Sequence, residues 1–325
     1  MKIKFYGTRG SLPAPLTIKE LRKKISEVVK RALQEQPPKE RAEEWIDNLP
    51  FHLKGTFGGN TTCCVVRCGK IILVIDLGSG IREFGDEILP EMFANKGLTL
   101  HLLMTHVHWD HTQGFPFFAP IFVSQKFLPN NKFIFFGGTA WQKTLEEVLK
   151  GQMDPPVFPA EWEKIMAEGP QMEFRPIFDR FSTKIKGGRD EILARVRRLH
   201  HPNETYGWRI EYQGRTFAFA TDTEPYANAI DPALLDIAQK ADVLYLDCQY
   251  SSEQYFGKGG IARFGWGHGY DKWAGRVAKT AEVKHLVLGH HDPAANDEEI
   301  ERIAENTRKI FPNVSPAYDG LELTL

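Results

Sequence analysis

Thr105-His106-Val107-His108-Trp109-Asp110-His111 decides the fold, and it directly follows the apolar run Leu98 to Met104. The run is typical of a β-strand, and alternate residues of an extended chain share a face, so its end delivers His106 and His108 to the same side. The turn that follows can bring the carboxylate and the third imidazole of the stretch toward a second cation. This spacing of imidazole and carboxylate groups predicts a site for two metal ions.

Three further candidate ligands each stand at the end of an apolar, strand-like run. They are His201 after residues 192–199, Asp222 after residues 216–221, and His290 after residues 285–289. Neighbouring residues of an extended chain point to opposite sides, so only one histidine of each adjacent pair is expected to bind metal. His200 and His291 are therefore the alternatives to His201 and His290.

The ordered set resembles the metallo-β-lactamase superfamily, and the resemblance extends over nearly the whole chain. Asp76 stands where that superfamily has its early aspartate. The stretches Gly7-Thr8-Arg9-Gly10-Ser11 and Gly58-Gly59-Asn60-Thr61-Thr62-Cys63 are similar to a bacterial phosphodiesterase-like branch related to ribonuclease Z. The resemblance implies an α/β fold, an αββα sandwich of two mixed β-sheets flanked by helices.

The resemblance also implies how the ligands divide between two divalent ions. It favours His201, because the branch places its ligand directly before a proline, and His290, because in the ribonuclease pattern the ligand ends the apolar run. Zinc is the expected metal, with manganese or iron as alternatives. One ion would be held by His106, His108 and His201, the other by Asp110, His111 and His290, with Asp222 bridging the pair.

Two metals at such a site favour phosphodiester hydrolysis. A water shared between them is pulled toward hydroxide, because coordination lowers its pKa from ~15.7 to about 7. Asp110, His268 and Asp247 are the residues expected to serve the chemistry. His268 lies between two glycines in a segment that resembles the one ribonuclease Z relatives carry before the last ligand, and it is expected to act as the acid or the phosphate clamp, oriented by Asp247. The alternative is that His268 only forms a hydrogen bond within a loop.

The expected function is a dinuclear metal-dependent hydrolase, a phosphodiesterase for a cyclic nucleotide or a short nucleic-acid diester that uses a metal-bridging hydroxide. A thioester or lactone hydrolase of the same superfamily is an alternative, since its ligands are much the same. A non-hydrolytic di-iron oxygen-binding or redox protein is another, although such relatives usually have an acidic residue where His108 stands. A metal-free binding scaffold is disfavoured by the intact ligand set.

The composition of the chain limits the classes of partner that are expected. The chain has 325 residues, 42% hydrophobic and 26% charged, with a formal net charge of −1. We expect one domain, residues 1–325, with helical insertions at about 15–50 and 145–178. The charge indicates no broad basic surface, so a small phosphodiester is favoured over nucleic acid.

No apolar run is long enough for a membrane span, and the four cysteines lack C-x-x-C spacing, so a cytoplasmic protein with reduced thiols is expected.

The first insertion begins with a helix pattern from Thr17 to Leu33, with a capping box formed by Thr17 and Glu20. Its apolar residues recur at helical spacing, which predicts an amphipathic helix. The commoner arrangement packs the apolar face on the helix's own domain. The alternative is a lid or a homodimer contact beside the metals.

Overall fold

The computed structural model describes residues 1–227, 229–258 and 260–325. Within them, fourteen strands form two seven-stranded sheets. The first sheet contains, in spatial order, β14 (Glu322–Thr324), β1 (Lys2–Gly7), β2 (Cys63–Cys68), β3 (Ile71–Ile75), β4 (Thr99–Leu103), β5 (Lys132–Gly137) and β6 (Gln171–Pro176). The second contains β13 (Val314–Pro316), β12 (His285–Gly289), β11 (Val243–Asp247), β10 (Arg215–Ala220), β9 (Thr205–Tyr212), β8 (Asp190–Leu199) and β7 (Ser182–Gly187).

Ten α-helices occur in the same described residues, and the longest begins at the capping box that the sequence predicts. The Thr17 and Glu20 capping box is present, as is the Asn296 cap of the last helix. The helices are α1 (Ile18–Glu35), α2 (Ala42–Asp47), α3 (Phe51–Lys54), α4 (Ile81–Ala94), α5 (Leu145–Met153), α6 (Trp162–Glu168), α7 (Pro232–Ala238), α8 (Ser252–Tyr255), α9 (Asp271–Thr280) and α10 (Asp297–Arg308). In the part of the chain that the structure describes, none of these helices combines the length and apolar character needed to cross a membrane.

The two sheets pack face to face around one apolar layer. Phe5 of the first sheet stacks on Tyr245 of the second with ring centroids 5.2 Å apart, and Trp208 is fully buried in the same cluster. A second apolar cluster joins the first sheet to α4, and a third joins the second sheet to α7, α9 and α10. Helices therefore cover the outer faces, which confirms the predicted αββα sandwich.

Parallel pairing brings the important strand ends together. Strands β3, β4 and β5 are parallel neighbours, as are β10, β11 and β12. Their carboxyl ends therefore lie at one edge of each sheet, the edge where open α/β sheets bind ligands. Asp76, Asp222 and His290 each follow one of these strands with left-handed φ angles of 61°, 49° and 56°. Residues other than glycine seldom adopt this conformation, and those that do are often found at functional sites.

The structure differs from the sequence-based expectation in two segments. The stretch 145–178 contains α5 and α6 but also β6, which forms the edge of the first sheet. Helix α1 has no buried residue, and most of its large apolar side chains are exposed to solvent. The expectation that this face packs on its own domain is therefore wrong.

Candidate metal centre

The histidine-rich stretch leaves the sheet at the end of β4 and folds back as a single short 3₁₀ turn, Trp109–His111. The turn brings the three imidazoles together, because the His106 ring lies 4.4 Å from that of His108 and 4.3 Å from that of His111. The backbone N–H and the hydroxyl of Thr105 both donate to Asp76, each at 2.8 Å. Asp76 thus holds the start of the loop against the end of β3.

One group of potential ligands combines His106, His108, His201 and Asp222, whose donor atoms lie within 4.8 Å of one another. Asp222 Oδ1 is 3.7 Å from His106 Nε2 and 3.9 Å from His201 Nε2. The Nδ1 atom of His108 is 3.3 Å from His201 Nε2. Three imidazoles and one carboxylate oxygen therefore converge on a small volume, as a zinc-type ion requires.

A second group combines Asp110, His111 and His290 within the same limit of 4.8 Å. The other carboxylate oxygen of Asp222, Oδ2, lies 3.1 Å from His111 Nε2 and 3.2 Å from His290 Nε2. Asp110 Oδ2 is 3.1 Å from His290 Nε2. Asp222 thus directs one oxygen toward each group, as a carboxylate bridging two cations does.

The two adjacent histidine pairs separate in space. His200 stacks on Tyr226 with ring centroids 4.0 Å apart, outside the ligand groups, whereas His201 lies within the first group. His291 is buried with its Nε2 atom 2.9 Å from the carbonyl oxygen of Ala317, and burial lowers its pKa to about 3. The structure therefore brings His201 and His290 together with the other predicted ligands.

Hydrogen bonds made by one nitrogen of a candidate ligand's ring determine which nitrogen remains available to bind a metal. His111 Nδ1–H donates to Asp76 at 2.8 Å, and His201 Nδ1–H donates to the carbonyl oxygen of Gly267 at 2.9 Å. A ring whose Nδ1 carries the proton presents Nε2 as a lone pair to the site. The backbone N–H of Ser11 donates to Asp110 Oδ2 at 2.8 Å, which fixes that carboxylate as well.

The charges differ between the two groups. Burial, followed by the neighbouring His111, lowers the pKa of His106 well below its usual range, so its imidazole is neutral and can bind a cation. Burial opposes the charged form of His290, but Asp222 and Asp110 outweigh it and raise the pKa of His290 to about 9. The carboxylates of the second group thus stabilise positive charge at the position where a cation would replace the proton.

The residues present fit two metal ions. The Nε2 atoms of His106 and His111 are buried, yet neither has a hydrogen-bond partner among the described residues. An unpaired buried nitrogen is costly in a folded protein and calls for an explanation. A metal ion at each group would satisfy these nitrogens, and mixed nitrogen and oxygen donors suit zinc, iron and manganese.

His268 and Asp247 lie directly beside the second group. His268 Nδ1–H donates to Asp247 Oδ2 at 2.8 Å, and the His268 ring stacks 4.9 Å from that of His290. Asp247 also accepts the backbone N–H of Asp222 at 3.1 Å and that of Gly269 at 2.9 Å. The predicted pair is therefore in contact and shares its carboxylate with the backbone of a candidate ligand.

Sequence reasoning missed the residues that hold the glycine–histidine loop. Glu224 accepts the backbone N–H of Gly265 at 2.7 Å and of Gly267 at 2.9 Å, and the hydroxyl of Tyr255 donates to it at 2.8 Å. The position of Glu224 two residues after Asp222 was visible in the sequence, but its partners lie about forty residues away. A contact between loops about forty residues apart in sequence leaves no periodic pattern from which it could be predicted.

An arginine beside this loop was also missed. The Arg263 guanidinium lies over the exposed Trp266 ring at 4.5 Å and over the Tyr250 ring at 5.8 Å. The Tyr250 ring is in turn 6.1 Å from that of His268. Arg263 makes no ion pair with any residue in the ranges described above, so its charge is available to an anionic ligand.

Other polar residues near the motifs brace the loops. Arg9 is buried and donates to the carbonyl oxygens of Gly58, Asp292 and Ala295. Thr61 Oγ1 accepts the backbone N–H of Ser79 at 2.8 Å. The Arg9 guanidinium is thus committed to backbone carbonyl oxygens and braces the loops around the ligand groups.

The aromatic residues within and after the histidine-rich stretch differ in burial. Phe115 and Phe118 are fully buried in the core. Trp109 and Phe117 are 67% and 60% exposed. Trp109 directly follows His108, so an exposed indole lies beside the first ligand group.

Comparisons with known proteins agree with this geometry. The lactamase-like protein notP from an Aspergillus species is 46% identical over 70 residues, which cover 21% of this chain and 21% of that protein. Ribonuclease Z from Treponema denticola is 28% identical over 146 residues, covering 44% of this chain and 42% of that enzyme. The matched part thus spans less than half of either relative. These matches confirm the resemblance to the ribonuclease Z branch.

The fold comparison covers the whole chain. The metallo-β-lactamase fold protein YhfI from Bacillus subtilis superposes with a TM-score of 0.61 at 15% identity over 99% of both chains, which shows a shared fold. The family described as the beta-lactamase superfamily domain matches residues 99–291, a span that contains every predicted metal ligand and more than half of the chain. The chain therefore belongs to the family of beta-lactamase superfamily domains.

Proposed function

We propose that the protein is a metal-dependent hydrolase that cleaves phosphodiesters, with a cyclic nucleotide or a short nucleic-acid diester as substrate. The observation that carries the proposal is the position of Asp222, whose two oxygens address two separate histidine groups while its backbone N–H is bound by Asp247. The similarity to ribonuclease Z supports a phosphodiester substrate over a thioester.

His106, His108 and His201 would hold one divalent ion, Asp110, His111 and His290 the other, and Asp222 would bridge them; zinc suits these donors best. Two such ions lower the pKa of bound water and neutralise the charge of a phosphoryl group. The outer hydrogen bonds from Asp76, Gly267 and Ser11 orient the ligands before any ion binds. Little reorganisation is then needed on binding.

His268 is the proton donor to the leaving oxygen in this proposal. Its Nδ1–H is committed to Asp247, so Nε2 is the atom that can carry a second proton toward the substrate. Asp247 stabilises the resulting imidazolium and keeps the ring in one orientation. His268 is buried, which restricts the competition of bulk water for that proton.

Arg263 and the exposed indoles supply the substrate-binding side. The guanidinium is held between two rings, which restricts its motion and leaves its N–H groups for a phosphate oxygen. Trp266 precedes Gly267, whose carbonyl binds His201, and Trp109 follows His108, which contacts His201 from the other side. Exposed aromatic rings on segments that contact a candidate ligand suit stacking with a nucleobase.

The test measures metal content and hydrolysis together in the purified protein. We expect about two metal ions per chain, given two ligand groups, and chelator-sensitive turnover of bis-p-nitrophenyl phosphate and cyclic nucleotides. His201→Ala should lose one ion and most activity, whereas the matched control His200→Ala, one residue away and outside the groups, should keep both. Selective turnover of a thioester, or diester turnover that persists in metal-free protein, would refute the proposal.

A further inference from the structure

Helix α1 turns its charged face toward the protein and its aliphatic face toward solvent. On the inner side, Lys24 pairs with Asp297 and donates to the carbonyl oxygen of Gly55, and Lys23 pairs with Glu298 at 2.7 Å. The outer side carries five large aliphatic side chains that are between 47 and 79% exposed. They are Ile18, Leu21, Ile25, Val29 and Leu33.

The inner side is polar and loosely filled. A cleft of about 210 Å³ lies there, lined mainly by charged side chains of α1 and by residues 296–298 at the start of α10. Burial of apolar surface therefore does not hold α1 in place on its own chain. A contiguous exposed apolar stripe of this kind marks a surface that packs against a partner.

We propose that this face pairs with α1 of a second copy of the chain, antiparallel and related by a two-fold axis through Ile25. Such an axis brings Ile25 against its own equivalent and exchanges Leu21 with Val29 and Ile18 with Ala32. Ile25, Leu21 and Ile18 then each meet an apolar residue of the second copy, which is the self-complementarity that a two-fold interface requires, and Leu33 lies opposite Thr17 at the edge of the contact.

The charges also fit a second copy. Lys19 and Arg22 are exposed at the start of α1 and make no ion pair with the described part of the chain. The acidic segment 40–47, with Glu40, Glu43, Glu44 and Asp47, lies at the opposite end of the helix, because Trp45 Nε1 donates to Glu35 there at 2.6 Å. An antiparallel pair places this segment beside the partner's cationic end. A negatively charged membrane surface would instead repel this acidic segment.

The experiment measures the oligomeric state of the full chain by sedimentation velocity. We expect the wild type to form a dimer at micromolar concentration and Ile25→Glu to be a monomer, since the charge would be buried at the axis without a partner. Val157→Glu introduces the same charge at a side chain that is 75% exposed elsewhere, and it should remain dimeric. A monomeric wild type, or a dimeric Ile25→Glu protein, would overturn the proposal. Binding of a monomeric wild type to anionic vesicles would overturn it in favour of a membrane partner.

Cysteine cross-linking tests the register. All four native cysteines are buried, so an introduced surface cysteine reacts selectively. Ile25→Cys should form a disulfide-linked dimer on mild oxidation, whereas Leu33→Cys should not, because its two copies would lie about 24 Å apart along the helix axes. Equal cross-linking at both positions would indicate parallel helices and contradict the arrangement. The proposal does not depend on the proposed function, so the failure of one leaves the other standing.

Discussion

Asp247 joins His268 to the backbone of Asp222. Its carboxylate accepts the His268 Nδ1–H at 2.8 Å and the Asp222 N–H at 3.1 Å. One side chain therefore positions both the proposed proton donor and the proposed bridging ligand. It stands at the end of β11, between the parallel neighbours β10 and β12 that carry Asp222 and His290.

We expect Asp247→Asn to lower kcat about 10- to 100-fold, the usual loss when a group that orients a site residue is removed. An amide in place of the carboxylate no longer stabilises a positively charged His268, so the alkaline limb of the pH–rate profile, where a proton donor loses its proton, should move to lower pH as well. Asp242→Asn is the matched control, because Asp242 is a buried carboxylate at the other end of the same strand. Steady-state kinetics over a pH series measure both effects. An unchanged profile in Asp247→Asn would remove Asp247 from the mechanism.

Glu224→Gln should loosen the glycine–histidine loop. Glu224 uses both carboxylate oxygens as acceptors for Gly265 and Gly267, and glutamine would present an N–H₂ group to one of these backbone donors. We expect a loss of about 1–3 kcal/mol in the free energy of unfolding. Hydrogen exchange of residues 264–269 should accelerate, while the control Glu253→Gln, at an exposed side chain of α8, should match the wild type. Unchanged exchange in the loop would show that Glu224 does not hold it.

Most of the candidate ligands that the sequence alone could place follow apolar runs. Asp222 and His290 were predictable because a strand and the polar residue that ends it are local features, and parallel neighbours bring such ends together. Glu224 and Arg263 act across loops far apart in sequence, so no local pattern identifies them. The orientation of α1 was mispredicted for a related reason: periodicity shows that a helix has an apolar face but not which neighbour that face meets.

Metal binding should stabilise the fold through the same ligands. A ligand that binds only the native state adds about 2.7 kcal/mol at a hundredfold excess over its Kd. We therefore expect zinc to raise the Tm of chelator-treated protein, and Asp222→Asn to lose most of this increase. Asp231→Asn, which changes a buried carboxylate at the N-cap of α7 away from the ligand groups, should keep the full increase. If zinc raised the Tm of Asp222→Asn as much as that of the wild type, Asp222 would not be a ligand.

Asp319 should make stability fall as the pH rises through the acidic range. Burial raises its pKa to about 6, although its Oδ2 atom accepts the backbone N–H groups of Gly59 and Asn60, each at 3.0 Å. The native state therefore holds a proton that the unfolded chain has released between about pH 4 and pH 6, so this group's contribution to stability is present below pH 4 and is lost by pH 6. Asp319→Asn keeps an acceptor oxygen for both N–H groups but cannot ionise.

Urea unfolding of the two proteins across this range isolates the charge of Asp319. The wild type should lose stability relative to Asp319→Asn as the pH rises, by at most about 3 kcal/mol for a shift of roughly two pKa units. The difference between the two curves cancels the other titrating groups, which are common to both proteins. Parallel curves would mean that Asp319 ionises at its ordinary pKa in the folded state.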